Sequence, residues 1–185
     1  ILDILAVVFI INLAVFQYRE KLASLGLSLK NFFRNVFYGV AGYIAAAPIL
    51  AGTLLVISVV INLTKYIPEK QAVVELFLKE ENVTFLVYTS LFTSVVGPFI
   101  EELFFRGFMY NAFKKRIGIL WSGLFTSAVF ASLHANTVGF LPIMFLGILL
   151  TYLYEKTGTL AAPIAVHIIH NLSMVFLVFL VKQVR

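Results

Sequence analysis

Glu101, Glu102 and Arg106 sit together inside an apolar stretch, in the run Glu101-Glu102-Leu103-Phe104-Phe105-Arg106. Glu102 and Arg106 are four residues apart, the spacing at which a carboxylate and a guanidinium meet on one helix face. Adjacent residues on a helix point about 100° apart, so Glu101 cannot share that pair. A carboxylate left over in this way is free to act as a general base. Two more groups able to move protons lie downstream. His134 follows Phe130 by four residues, and His167 precedes Asn171 by four, so His167 and Asn171 share a helix face. His170, three residues after His167, shares part of that face and is a further candidate without an assigned role.

The elements that must position these groups are membrane spans. The chain of 185 residues is 61% hydrophobic and 12% charged, with a mean hydropathy of +0.99. Soluble domains are nearer half apolar and one quarter charged. A chain of this size has too little interior to hide the excess, so lipid is the expected solvent. Runs of about 20 apolar residues are needed to cross. Six are read: Ile1–Phe16, Val36–Leu63, Val83–Phe113, Ile117–Ala135, Val138–Tyr154 and Leu160–Val181. The fold class is therefore all-α, a polytopic transmembrane helix bundle forming a single membrane domain over 1–185. The chain starts at Ile1, so its first run is expected to be the remnant of a longer span rather than a signal peptide.

Gln17–Arg34 reads as an amphipathic interfacial connector, with Leu22, Leu25, Leu29, Phe32 and Phe33 near helical spacing. Thr64–Asn82 reads as a second surface connector, helical from about Pro68. Pro48 is a potential kink in the second span, and Gly97-Pro98 one in the third. Trp121, Tyr152 and Tyr154 are expected interfacial anchors. Basic residues are denser in alternate connectors (Arg19, Lys21, Lys30, Arg34; Lys114, Lys115, Arg116; Lys156), which assigns these connectors to the cytoplasm. The basic balance of +5 thus answers to a bilayer and its anionic lipids rather than to nucleic acid. On that topology Glu101, His134 and His167 lie about 20, 27 and 16 Å from the cytoplasmic charges at 1.5 Å per residue. One intramembrane site is geometrically open to all three.

Several chemistries are excluded. There is no Cys, hence no thiolate nucleophile or Cys-rich metal site. Asp3 is the single Asp, one short of an aspartyl dyad. The chain contains neither His-Glu-x-x-His nor Gly-x-Ser-x-Gly. A charge at mid-bilayer costs about 2.5–3.5 kcal/mol on insertion scales, so the remaining glutamate, histidines and asparagine are functional candidates. A proton relay or transporter is a weaker reading, because no related pair of broken helices is seen.

At these residues the chain resembles the CAAX protease and bacteriocin-processing family, also called Abi or Ras-converting-enzyme-like intramembrane proteases. The family pattern is Glu-Glu-x-x-x-Arg, Phe-x-x-x-His and His-x-x-x-Asn. It is met here by Glu101-Glu102-x-x-x-Arg106, Phe130-x-x-x-His134 and His167-x-x-x-Asn171. The resemblance covers about 83–180, the expected catalytic core. It implies a multi-pass protein of a bacterial or archaeal plasma membrane, with a cavity open to the cytoplasmic side. It also implies an endopeptidase acting on a prenylated CAAX-type or other membrane-associated peptide. Glu101 and His134 would activate a water, and His167 and Asn171 would hold the oxyanion. Glu102 and Arg106 would support the helix. The resemblance leaves metal open: none is expected to be required, and Zn²⁺, if used, would take Glu101, His134 and His167. The competing reading is a non-catalytic bacteriocin-immunity or membrane scaffold protein that keeps the fold.

Overall fold

A computed structural model of the chain describes residue 12 and residues 22–68, 72–134 and 136–184. Among these residues every regular element is helical. Helix α1 is Phe32–Thr64, α2 is Ala72–Lys79, α3 is the continuous helical stretch Val83–Leu133, α4 is Phe140–Thr157 and α5 is Ala161–Gln183. Four of them, α1, α3, α4 and α5, are long and apolar enough to cross a membrane. The chain is a multi-pass integral membrane protein. The expected first span lies outside the described residues.

Helix α3 accounts for two of the expected spans. Gly118 interrupts it at φ 79, ψ 174, a conformation open to glycine and strained for other residues. There the chain reverses. The Phe113 and Phe125 rings are 4.8 Å apart, and Phe105 and Phe130 are 5.1 Å apart. Twelve residues along a straight helix would span about 18 Å. The two arms of α3, before and after Gly118, therefore form an antiparallel hairpin with almost no loop.

The first arm is wound unevenly. Phe92–Val96 and Leu103–Tyr110 are π-helical, and Gly97–Glu102 between them is α-helical. Pro98 explains part of this. It has no N–H, so a carbonyl that would bond to it is orphaned. Gly97 N–H turns to Phe92 O instead, and the Thr93 carbonyl accepts from Asn171 Nδ2 of α5 at 2.9 Å. The expected kink at Gly97-Pro98 is thus a widened turn that docks another helix. Helix α1 continues through Pro48 as one 33-residue helix.

Of the first connector, 17–21 lie outside the described residues; the described part before α1 holds a short 3₁₀ turn, Leu22–Leu25. Gly26 (φ 82) and Asn31 (φ 54), both left-handed, separate it from α1. Residues 69–71 of the second connector lie outside the described residues, and the connector is helical over α2. Its end is closed by Lys182 of α5, whose Nζ donates to the carbonyls of Phe77 (3.2 Å) and Glu80. These are carbonyls that a helix C-terminus leaves unpaired.

Three basic connectors gather at one end of the bundle, in keeping with the topology read from their charges. Leu160 N–H donates to Gly26 O at 2.9 Å, and Asn35 Nδ2 to Thr159 Oγ1 at 2.9 Å. Lys114 pairs with Glu155. Leu25, Leu103, Tyr110, Tyr154 and Leu160 form a core just inside that end. Trp121 and Tyr152 are exposed, as anchors should be, but Tyr154 is buried, its hydroxyl taking Asn111 Nδ2 at 2.7 Å. A second core joins α4 and α5 through Leu146, Leu150, Leu153, Ala162 and Val166. Helix α4 meets the second arm of α3 at Gly147, where a Cβ would lie 3.0 Å from Ser127 Cβ. Such contact between small residues substitutes for the hydrophobic drive that helices lack in lipid.

Candidate active site

The first arm of α3 supplies Glu101, Glu102 and Arg106, the second arm Phe130 and His134, and α5 His167 and Asn171. The π-helical turns on either side of Gly97–Glu102 set the direction in which the two glutamates leave the helix.

Glu102 and Arg106 pair as their spacing predicts, Oε1 to Nη1 at 2.7 Å, with side chains 0% and 1% exposed. The pair is one part of a larger set of contacts. Glu102 Oε1 also lies 2.9 Å from His167 Nδ1, and Arg106 Nη2 donates to the Gly147 carbonyl at 3.1 Å. Two buried charges are tolerable when they satisfy each other and their remaining hydrogen-bonding groups are met. Here α3, α4 and α5 share that task for Glu102 Oε1 and both terminal guanidinium nitrogens, while Glu102 Oε2 and Arg106 Nε are buried without a hydrogen bond. Because Glu102 already receives Arg106 as a carboxylate, Nδ1 of His167 is the donor to it.

Glu101 faces a different environment. Its side chain is 37% exposed, and His167 Nε2 lies 3.8 Å from its Oε2. That oxygen makes no hydrogen bond. His167 thus stands between the two adjacent glutamates, one on each ring nitrogen.

His134 caps the C-terminus of α3. Its Nδ1–H donates to the Phe130 carbonyl at 2.8 Å, since a carbonyl only accepts. The other nitrogen, Nε2, therefore carries the lone pair in the neutral ring. His134 itself is exposed. It makes no direct polar contact with Glu101 or His167 among the described residues. What lies between His134 and His167 is Phe130, 1% exposed. The Phe130 ring is edge-on to His134 (4.6 Å between centroids) and to His167 (5.6 Å). It lies 4.7 Å from the Arg106 guanidinium carbon, a cation–π contact. Phe130 entered the sequence reading as a motif letter only. Its signal was the i,i+4 spacing to His134, which puts its ring under that imidazole.

Asn171, expected as an oxyanion donor, spends one amide N–H on Thr93 O and keeps the second. His170 lies off the site. Its Nδ1 is 3.0 Å from Tyr43 Oη, a tie between α5 and α1. Glu101, His134 and His167 are the residues that a Zn²⁺, not expected to be required, would take. No three His, Cys, Asp or Glu side chains among the described residues are gathered at ligating spacing, so the set as arranged does not fit a His₂Glu zinc site.

Residues 83–173 match the family described as type II CAAX prenyl endopeptidase Rce1-like. The chain is 29% identical over 85 residues to the putative membrane peptidase YdiL of Bacillus subtilis (strain 168), covering 46% of this chain and 35% of that protein. It is 33% identical over 87 residues to the membrane-embedded CAAX protease MroQ of Staphylococcus aureus (strain USA300), covering 43% of this chain and 35% of MroQ. An uncharacterized 24.3 kDa protein of Escherichia coli is 27% identical over 128 residues, covering 65% of this chain and 58% of that one. The matched parts thus span about a third of the length of the first two relatives. No solved structure matches the chain.

Proposed function

Because this chain belongs to the Rce1-like CAAX endopeptidase family through residues 83–173, we propose that it is a membrane-embedded endopeptidase. Its substrate in this reading is a prenylated CAAX-type or other membrane-associated peptide, cut near its C-terminus. The names of YdiL and MroQ support the activity, and the second supports the substrate class.

The observation that carries the reading is the contrast within one pair of residues. Glu102 is buried and held through Oε1 by Arg106 and His167, while the Glu101 side chain beside it is 37% exposed and its nearest charged neighbour, His167 Nε2, lies beyond hydrogen-bond distance at 3.8 Å. A carboxylate so placed is suited to draw a proton from water. In our proposal Glu101 and Nε2 of His134 hold and activate that water. Helix α5 forms the opposite wall, where His167 and the spare N–H of Asn171 meet the charge that develops on the carbonyl oxygen. One such donor is typically worth about 10²–10³ in rate. Glu102 and Arg106 position His167. No step is assigned to a metal.

The test is cleavage by the purified protein of prenylated CAAX peptides and of unmodified leader peptides, with and without chelator. Glu101→Ala and His134→Ala are expected to abolish cleavage while the protein still inserts and stays monodisperse. Wild-type cleavage should survive chelation. Full activity in both variants, or no wild-type activity on either substrate, overturns the proposal and favours a non-catalytic scaffold.

A further inference from the structure

His167 has two unlike faces. Its Nδ1–H is given to Glu102 Oε1 at 2.9 Å, and that oxygen is held by Arg106 Nη1 at 2.7 Å. Its Nε2 is turned toward Glu101 Oε2 at 3.8 Å, an oxygen with no hydrogen bond of its own. With the ring proton on Nδ1, the neutral imidazole has only a lone pair at Nε2. In that form it cannot donate a hydrogen bond to an oxyanion. It becomes a donor there only by accepting a proton, and the group beside Nε2 is the carboxylate that would take a proton from water.

We infer that His167 is also the proton carrier of the reaction, the N–H with which it meets the oxyanion being one it gains from Glu101. This rests on the endopeptidase reading above. Water oxygen bonds to the scissile carbonyl carbon, and the C=O π pair moves onto oxygen. Glu101 takes one proton from the water and passes it to Nε2 of His167, directly as the 3.8 Å gap closes or through one water. The resulting imidazolium is balanced by Glu102 on its other side and presents an N–H to the reacting centre. When the C–N bond breaks, its electron pair goes to nitrogen, and the Nε2 proton follows. Glu101 is left as a carboxylate and His167 as the Nδ1–H tautomer. One water is consumed, and a carboxylic acid and an amine are formed. Glu102 plays the orienting part that a buried carboxylate plays toward a catalytic histidine in a triad.

Leaving-group chemistry separates this role from a fixed donor. An amide nitrogen must be protonated to depart, whereas a trifluoroethyl ester of the same peptide departs without it. His167→Gln is expected to slow amide cleavage by about 10²–10⁴-fold more than ester cleavage, the range of general acid–base catalysis, since the ester loses only the N–H at the oxyanion. Equal losses on both substrates, or no loss on the amide, overturn the inference and leave the endopeptidase reading standing. A wild-type protein that cleaves neither substrate overturns both. A second measurement needs no turnover. In ¹⁵N-histidine NMR of the wild-type protein, the signals missing from His167→Gln should be those of an Nδ1–H, Nε2-lone-pair ring. An Nε2–H tautomer there overturns the assignment.

Discussion

Two adjacent glutamates divide the site into unlike halves. On the Glu102 side, the carboxylate, Arg106 and His167 are buried, and a carbonyl from α4 and the face of Phe130 complete the surroundings of the guanidinium. On the Glu101 side, the carboxylate is 37% exposed with His167 no nearer than 3.8 Å, and His134 is exposed, its one polar contact among the described residues being to its own helix. The first half holds the bundle together. The second is unfinished as a structure, which is how a site looks when its remaining partners are to come from substrate and water. The comparison teaches that a charge cluster in lipid need not have one purpose.

The largest effect expected from breaking this contrast is on the Glu102 side. Arg106→Ala strands a buried carboxylate, and losing one partner of such a pair costs about 3–5 kcal/mol. The variant should fail to yield monodisperse protein, or should melt far below wild type in detergent. A soluble, wild-type-like melting curve would mean that the buried half is not what holds α3, α4 and α5 together. Next in size is a substitution on the seam. Phe130→Leu removes the ring that separates His134 from His167 and covers Arg106. Large-to-small core changes of this kind cost about 1–3 kcal/mol. Peptide cleavage should drop further than in Phe113→Leu, which loses an aromatic pair from the same hairpin without touching a histidine. Equal drops would make Phe130 filler. The smallest change is expected on the open side. Glu101→Gln should keep the stability within about 0.5 kcal/mol of wild type, with a melting curve close to wild type, although cleavage is lost. A large stability loss there would show that Glu101, too, belongs to the scaffold.

Much of this was legible in the residues. The Glu102–Arg106 pair follows from spacing on one helix, and the basic connectors from their charges. The shared level of Glu101 and His167 follows from counting residues along each span. The Glu102–His167 bond was not legible, because it depends on how α5 is rotated against α3, and that rotation is fixed by packing. Pro98 carries the same lesson. A missing N–H announces a disturbance, but only the partner helix decides whether it becomes a bend or a widened turn filled by Asn171. Tyr154 misled for another reason. An amphipathic ring at a span end suits the interface, and here it suits the core beneath Gly26 equally well. The boundary between the two arms of α3 was marked by Lys114, Lys115 and Arg116, but the tightness of the reversal was not, because it rests on the single backbone conformation of Gly118.

The hairpin at Gly118 bears on the order in which the protein is made. Glu101, Glu102, Arg106, Phe130 and His134 all lie on its two arms, so most of the site comes from contacts between stretches close in the chain. Such contacts form early and fast. His167 and Asn171 arrive only with α5, whose end also closes α2 through Lys182. Until α5 enters the membrane, Glu102 lacks its imidazole, the Thr93 carbonyl lacks its amide and the wall opposite Glu101 is absent. A chain whose α5 is not yet in place therefore carries the hairpin with its half-buried carboxylate but no complete machinery. In our reading, hydrolytic competence waits for α5.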